Sequence, residues 1–98
     1  AEASLFILEL DKEIYEKNTS PMLSHINIGT GLDLSIKAMS KIMKSVVGYK
    51  GKIFFDTSKP DGTLKKLTDI SRITNVGWKY KTSLEDGLIK TYTWYKNQ

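Results

Sequence analysis

The chain has no cysteine, which removes disulfide frameworks and thiolate metal sites together. A single histidine, His25, leaves no imidazole cluster for zinc. Leu5 to Leu10 is the longest apolar patch and is far too short to cross a bilayer. No basic start with a small-residue cleavage site marks a secretory signal. There are no repeats, no low-complexity tracts and no linker that would divide the chain. These absences lead us to expect a soluble, cytoplasmic protein with one domain over residues 1–98. A chain of 98 residues supports one modest core, burying roughly two thirds of its unfolded surface.

What is present is unevenly spread charge. The net charge is +4, from 15 basic and 11 acidic residues, with 40% hydrophobic residues overall. Between Lys37 and Lys81, eleven Lys/Arg face only Asp56, Asp61 and Asp69, so that segment carries +8. Such asymmetry favours a polyanionic partner, whether nucleotide, phosphorylated ligand or nucleic acid. Lys37, Lys41 and Lys44 stand at helical spacing opposite an apolar face and read as solvated.

Periodicity then orders the elements. Ala3, Phe6, Ile7, Leu10 and Ile14 keep an i, i+3, i+4 rhythm and predict one amphipathic helix. It has no cap before it, so the start of the chain reads as a cut. It ends at Asn18-Thr19-Ser20-Pro21, with Asn18 as a left-handed cap. His25-Ile26-Asn27-Ile28 alternates like a strand and stops at Gly29-Thr30-Gly31, where the third glycine of a dinucleotide fingerprint is missing. Ser35 is placed to cap a helix whose apolar face is Ile36, Met39, Met43, Val46 and Val47, with Gly48 as its left-handed end. Lys52 to Asp56 reads as a second strand, and Lys59-Pro60-Asp61-Gly62 as a type I turn. A short helix from Asp69 ends at Gly77, which returns Trp78 to Ile73. The last helix opens on a capping-box-like Ser83-Leu84-Glu85-Asp86 and buries Leu84, Leu88, Tyr92 and Tyr95, with Gly87 allowing close packing. The order is helix, strand, helix, strand, short helix, helix, in the α/β class.

The stretch from Phe54 to Asp69 is the candidate site. It gathers Lys59, Lys65 and Lys66 near the start of the Asp69 helix, where an anion would be favoured. Against this, Asp69 as N-cap occupies an N–H group and repels a phosphate. A solvated turn and a ligand loop both remain open on these residues. Trp78-Lys79-Tyr80-Lys81 interleaves aromatic and basic side chains as a nucleic-acid surface does, but Trp78 is committed to a helix ending. The tyrosines lack a lysine or serine partner at a meaningful spacing, and no carboxylate pair is fixed. No catalytic residue, metal ligand or cofactor-binding residue is assigned.

The run Phe55-Asp56-Thr57-Ser58-Lys59-Pro60-Asp61-Gly62-Thr63, then Lys65-Lys66-Leu67, Asp69, Ser71-Arg72, Gly77-Trp78, Ser83-Leu84-Glu85 and Gly87-Leu88, resembles the C-terminal end of the GDP-L-fucose synthase family. The likeness extends upstream through His25 to Gly31 and Val46 to Gly51. It implies the C-terminal substrate-binding lobe of a Rossmann-type extended short-chain dehydrogenase. Such enzymes convert GDP-4-keto-6-deoxy-D-mannose to GDP-L-fucose by C3/C5 epimerisation and NADPH-dependent reduction. NADPH and the Ser-Tyr-Lys catalytic set belong to an N-terminal Rossmann domain that is absent from these 98 residues, so the isolated fragment is expected to hold no cofactor and to be inactive. His25 matches a scaffold strand of the family, not its catalytic histidine. Asp61 and Lys66 match positions that contact the GDP-sugar, and Lys65 and Lys59 join them as candidates. Lys65 stands where the family usually has arginine and Leu64 where it usually has proline, so a bidentate fork and a φ restraint are both missing. The resemblance also implies a homodimeric full-length enzyme with no membrane or nucleic-acid partner. The alternative is an independent small basic module that binds nucleic acid.

Overall fold

The apolar stripe at the start of the chain forms two helices rather than one. The computed structural model, which describes residues 1–98, places α1 at Glu2–Leu8 and α2 at Lys12–Asn18. The break follows from Asp11, whose extended ψ of 132° puts it at the N-cap of α2. Leu10 N–H turns back to the Ile7 carbonyl at 3.2 Å, so the last turn of α1 is tightened. Asn18 is not a left-handed cap. It is the last residue of α2, and Thr19 ends the helix in an extended conformation. The Thr19 hydroxyl and Asn18 amide instead donate to the carbonyls of Tyr15 and Ile14, both at 2.8 Å.

Three further helices follow: α3 (Ile36–Val47), α4 (Ser71–Asn75) and α5 (Leu84–Lys96). Neither predicted strand forms. The only bridge joins Ser20 to Leu23, and residues 25–28 and 52–56 have no ladder partner in this chain. Strand pattern specifies which face is apolar, whereas a strand exists only when a second edge accepts its N–H and C=O groups. The expected helix–strand alternation is therefore corrected to five helices joined by unpaired segments.

Two compact units divide the residues. The first comprises Ala1–Leu32 with Leu67–Lys81, the second Asp33–Lys66 with Thr82–Gln98. In the first, Ala3, Ile73 and Val76 form the buried cluster, and Phe6, Ile7, Leu10, Ile26, Ile70 and Trp78 pack on it. Helix α4 closes as its sequence predicts: Gly77 has φ of 101°, and Trp78 and Gly77 N–H donate to the Ile73 and Thr74 carbonyls at 3.1 and 3.0 Å. This is a Schellman ending, with Trp78 folded onto the core.

In the second unit α3 packs against α5. Ser35 caps α3, its hydroxyl oxygen accepting from Ala38 N–H at 3.1 Å, and Gly48 ends the helix at φ of 73°. Ser83 does the same for α5, accepting from Asp86 N–H at 3.1 Å while donating to the Asp86 carboxylate at 2.7 Å. The expected buried faces are only partly so. No residue of α3 or α5 is buried; Ile36 is 77% and Tyr95 69% exposed. Nor is Gly87 a point of close approach, since a Cβ there would meet only Thr82 Cγ2 at 3.8 Å.

Candidate functional site

The loop after residue 52 turns earlier than expected. Its turn lies at Thr57–Ser58, because the Asp56 carboxylate accepts from both the N–H and the hydroxyl of Ser58, at 2.9 and 2.6 Å. An Asx residue competes effectively for the chain in this way. Lys59-Pro60-Asp61-Gly62 consequently runs on without forming the predicted turn. The Ser58 hydroxyl, and then its N–H, hold the Asp56 carboxyl below the usual carboxylate range.

Beyond Gly62 the chain reaches a groove of about 520 Å³ lined by Asp33, Leu34, Ser35, Ile36 and Thr63 to Lys66. Lys65 and Lys66, two of the four predicted site residues, therefore come together here. Lys59 and Asp61 do not line it, and both are exposed. The groove partners of the two lysines are the residues that lead into α3, not the start of α4 as their position in sequence suggests. None of the lysines of this loop is paired, for the one ion pair of the chain joins Lys12 to Glu16. Two unpaired ammonium groups beside hydroxyls and an apolar wall make a surface suited to an anionic ligand with an organic body. Asp33 is the lining residue that sequence reasoning missed. A single acidic residue two places before a cap carries no motif.

The start of α4 is built otherwise. Asp69 is not its N-cap, since Ile70 holds that place, but its carboxylate accepts from Ser71 N–H at 2.8 Å and from the Ser71 hydroxyl. The hydroxyl first and the N–H second keep the Asp69 carboxyl below its ordinary value. Arg72 donates to the carbonyls of His25 at 2.8 Å and Leu23 at 3.3 Å. His25, Asn27, Asp69 and Arg72 surround a small cavity of about 130 Å³. A Cβ on Gly31 (φ 73°) would lie 2.7 Å from Ile70 Cδ1, and one on Gly29 3.3 Å from Ile70 Cγ2. The space these glycines leave is taken by an isoleucine. No group of acidic or histidine side chains is arranged to hold a metal ion, and no helix is long and apolar enough to cross a membrane.

No protein-family model matches the chain. Single relatives do. Over 95 residues the chain is 50% identical to the GDP-L-fucose synthase of Escherichia coli strain K12, which covers 97% of this chain and 30% of that protein. Over nearly its whole length the chain thus resembles part of a GDP-L-fucose synthase. It spans about a third of the length of the curated relatives it matches. Solved structures resemble the chain as well. A GDP-6-OMe-4-keto-L-xylo-heptose reductase from Campylobacter jejuni superposes with a TM-score of 0.82 at 41% identity, covering 99% of this chain and 28% of that one. A GDP-mannoheptose C4 reductase from the same organism, with NADP bound, gives 0.76 at 39% identity, covering 97% and 28%. Both neighbours are reductases of GDP-linked heptoses. Nothing supports the alternative of a nucleic-acid module.

Proposed function

We propose that residues 1–98 are the C-terminal, GDP-sugar-binding domain of an enzyme that makes GDP-L-fucose. The full-length protein would convert GDP-4-keto-6-deoxy-D-mannose by C3/C5 epimerisation followed by NADPH-dependent reduction. The observation that carries the reading is 50% identity across 97% of the chain, joined to a groove in which Lys65 and Lys66 converge. On this reading the cofactor and the catalytic residues belong to an N-terminal Rossmann domain. The isolated chain is then inactive. The same reading makes the full-length enzyme a cytoplasmic homodimer.

The chemistry left to this chain is binding and orientation. Lys66, with Lys65, takes the diphosphate by charge-assisted hydrogen bonds. Asp61, an acceptor only, serves ribose hydroxyls or guanine N–H groups, and Lys59 adds positive charge to the mobile approach of the ligand. Binding energy gathered this far from the reacting carbons holds the sugar in place for chemistry performed elsewhere. A charge-assisted hydrogen bond contributes about 1.5–3 kcal/mol. Lys66→Ala in the full-length enzyme should therefore raise KM for the GDP-sugar about tenfold or more with little change in kcat. Steady-state kinetics checks this, and an unchanged KM overturns the assignment.

A further inference from the structure

The groove holds one group that the diphosphate reading leaves out. Asp33 lines it together with Lys65 and Lys66, and no lysine neutralises it, since the chain's only ion pair lies elsewhere. One carboxylate oxygen accepts from Leu34 N–H at 2.8 Å, and the other has no partner. A carboxylate so placed repels the phosphates of the same ligand, so it is a poor feature for a site that takes a bare anion. It is a good feature for a ligand that brings hydroxyl groups beside its phosphates, because an ionised carboxylate can only accept, and hydroxyls are donors within its reach. Ser35 cannot take that task fully, its hydroxyl oxygen being engaged by Ala38 N–H.

We propose that Asp33 is a further substrate-binding residue, accepting hydroxyl hydrogens of the nucleotide sugar while Lys65 and Lys66 hold its diphosphate. The inference rests on the reading of this groove as a GDP-sugar site. Asp33 acts as a discriminator: it strengthens ligands that carry hydroxyls and weakens those that carry only phosphate.

The test uses the full-length protein and two probes, GDP-mannose and inorganic pyrophosphate, titrated by calorimetry against Asp33→Ala, Asp33→Asn and Lys66→Ala. Asp33→Ala should weaken GDP-mannose about tenfold and tighten pyrophosphate by about two- to fivefold, as removal of a nearby like charge requires. Asp33→Asn, which keeps an acceptor and the shape, should recover part of the GDP-mannose affinity but keep the tighter pyrophosphate binding. Shifts of the two probes in the same direction, or no shift in either, overturn the role of Asp33 provided Lys66→Ala weakens both. If Lys66→Ala leaves both probes unchanged, the underlying GDP-sugar reading falls and the inference with it.

Discussion

The two units of this chain divide their labour in an uneven way. Residues 1–32 with 67–81 own every buried side chain, Ala3, Ile73 and Val76. Residues 33–66 with 82–98 own the lysine groove and bury nothing completely. Core and candidate site are thus built from different stretches of sequence. The unit that carries the candidate groove is held by one helix pair and by local caps, so it has the lower density of apolar contact.

Truncation is the strongest way to break this comparison. Ile73 is 1% exposed, and Ile73→Ala should cost about 2–5 kcal/mol by lost transfer energy and an unfilled cavity. Ile42→Ala, on the half-buried face of α3, should cost much less. Denaturant melts of both variants check the contrast, and equal losses would show that the division into core and site is false. A smaller effect of opposite sign belongs to Gly87. With 3.8 Å free before Thr82 Cγ2 and no positive φ, Gly87→Ala should stabilise α5 by about 0.5–1 kcal/mol, read as a raised melting temperature. A lowered one would reveal packing on that face.

The least of the expected effects is shared by both units, which carry the same device. Asp69 in one and Asp56 in the other have carboxyls lowered by a serine hydroxyl and N–H two residues on. A lowered folded value means that each contributes stability above the ordinary carboxylate range, near pH 4, and loses it as pH falls through the lowered value. Asp69→Asn and Asp56→Asn should each reduce the acid sensitivity of the melting temperature below about pH 4, by little, since both side chains are exposed. A melting curve taken at successive pH values decides it. An unchanged acid limb in both variants would sink the claim.

What could be read from sequence was local. Ser35, Gly48, Gly77-Trp78 and Ser83 sit where their caps require, because each acts through backbone groups within five residues. The strands could not be read in the same way. Residues 25–28 and 52–56 have the right alternation, but pairing depends on an edge that no pattern within the segment specifies. The single helix expected before Asn18 failed at Asp11, where a capping residue interrupted an unbroken apolar stripe. Proline drew attention to residues 59–62 as the turn, yet Asp56 and Ser58 closed theirs first. Of the candidate site, the resemblance pointed to Asp61 and Lys66, with Lys65 and Lys59 beside them, and only Lys65 and Lys66 line the groove. It offered no reason to look at Asp33, which reaches that groove through folding from about thirty residues away in the chain.

The single ion pair has a consequence beyond its own small energy. Lys12 and Glu16 meet at 3.6 Å on an open surface, where such pairs are worth about 0–1 kcal/mol. No other lysine or arginine of the chain stands within ion-pair distance of a carboxylate. Ionic strength thereby becomes a handle on one property and not the other. The fold has one exposed ion pair for salt to screen, while the anion attraction that we propose for Lys65 and Lys66 would fade once the Debye length shrinks to about 8 Å near physiological salt. Lys65 and Lys66 make no ion pair with the fold and stay free for what arrives from solution, and the chain's shape is kept by its caps and by one buried isoleucine with its neighbours.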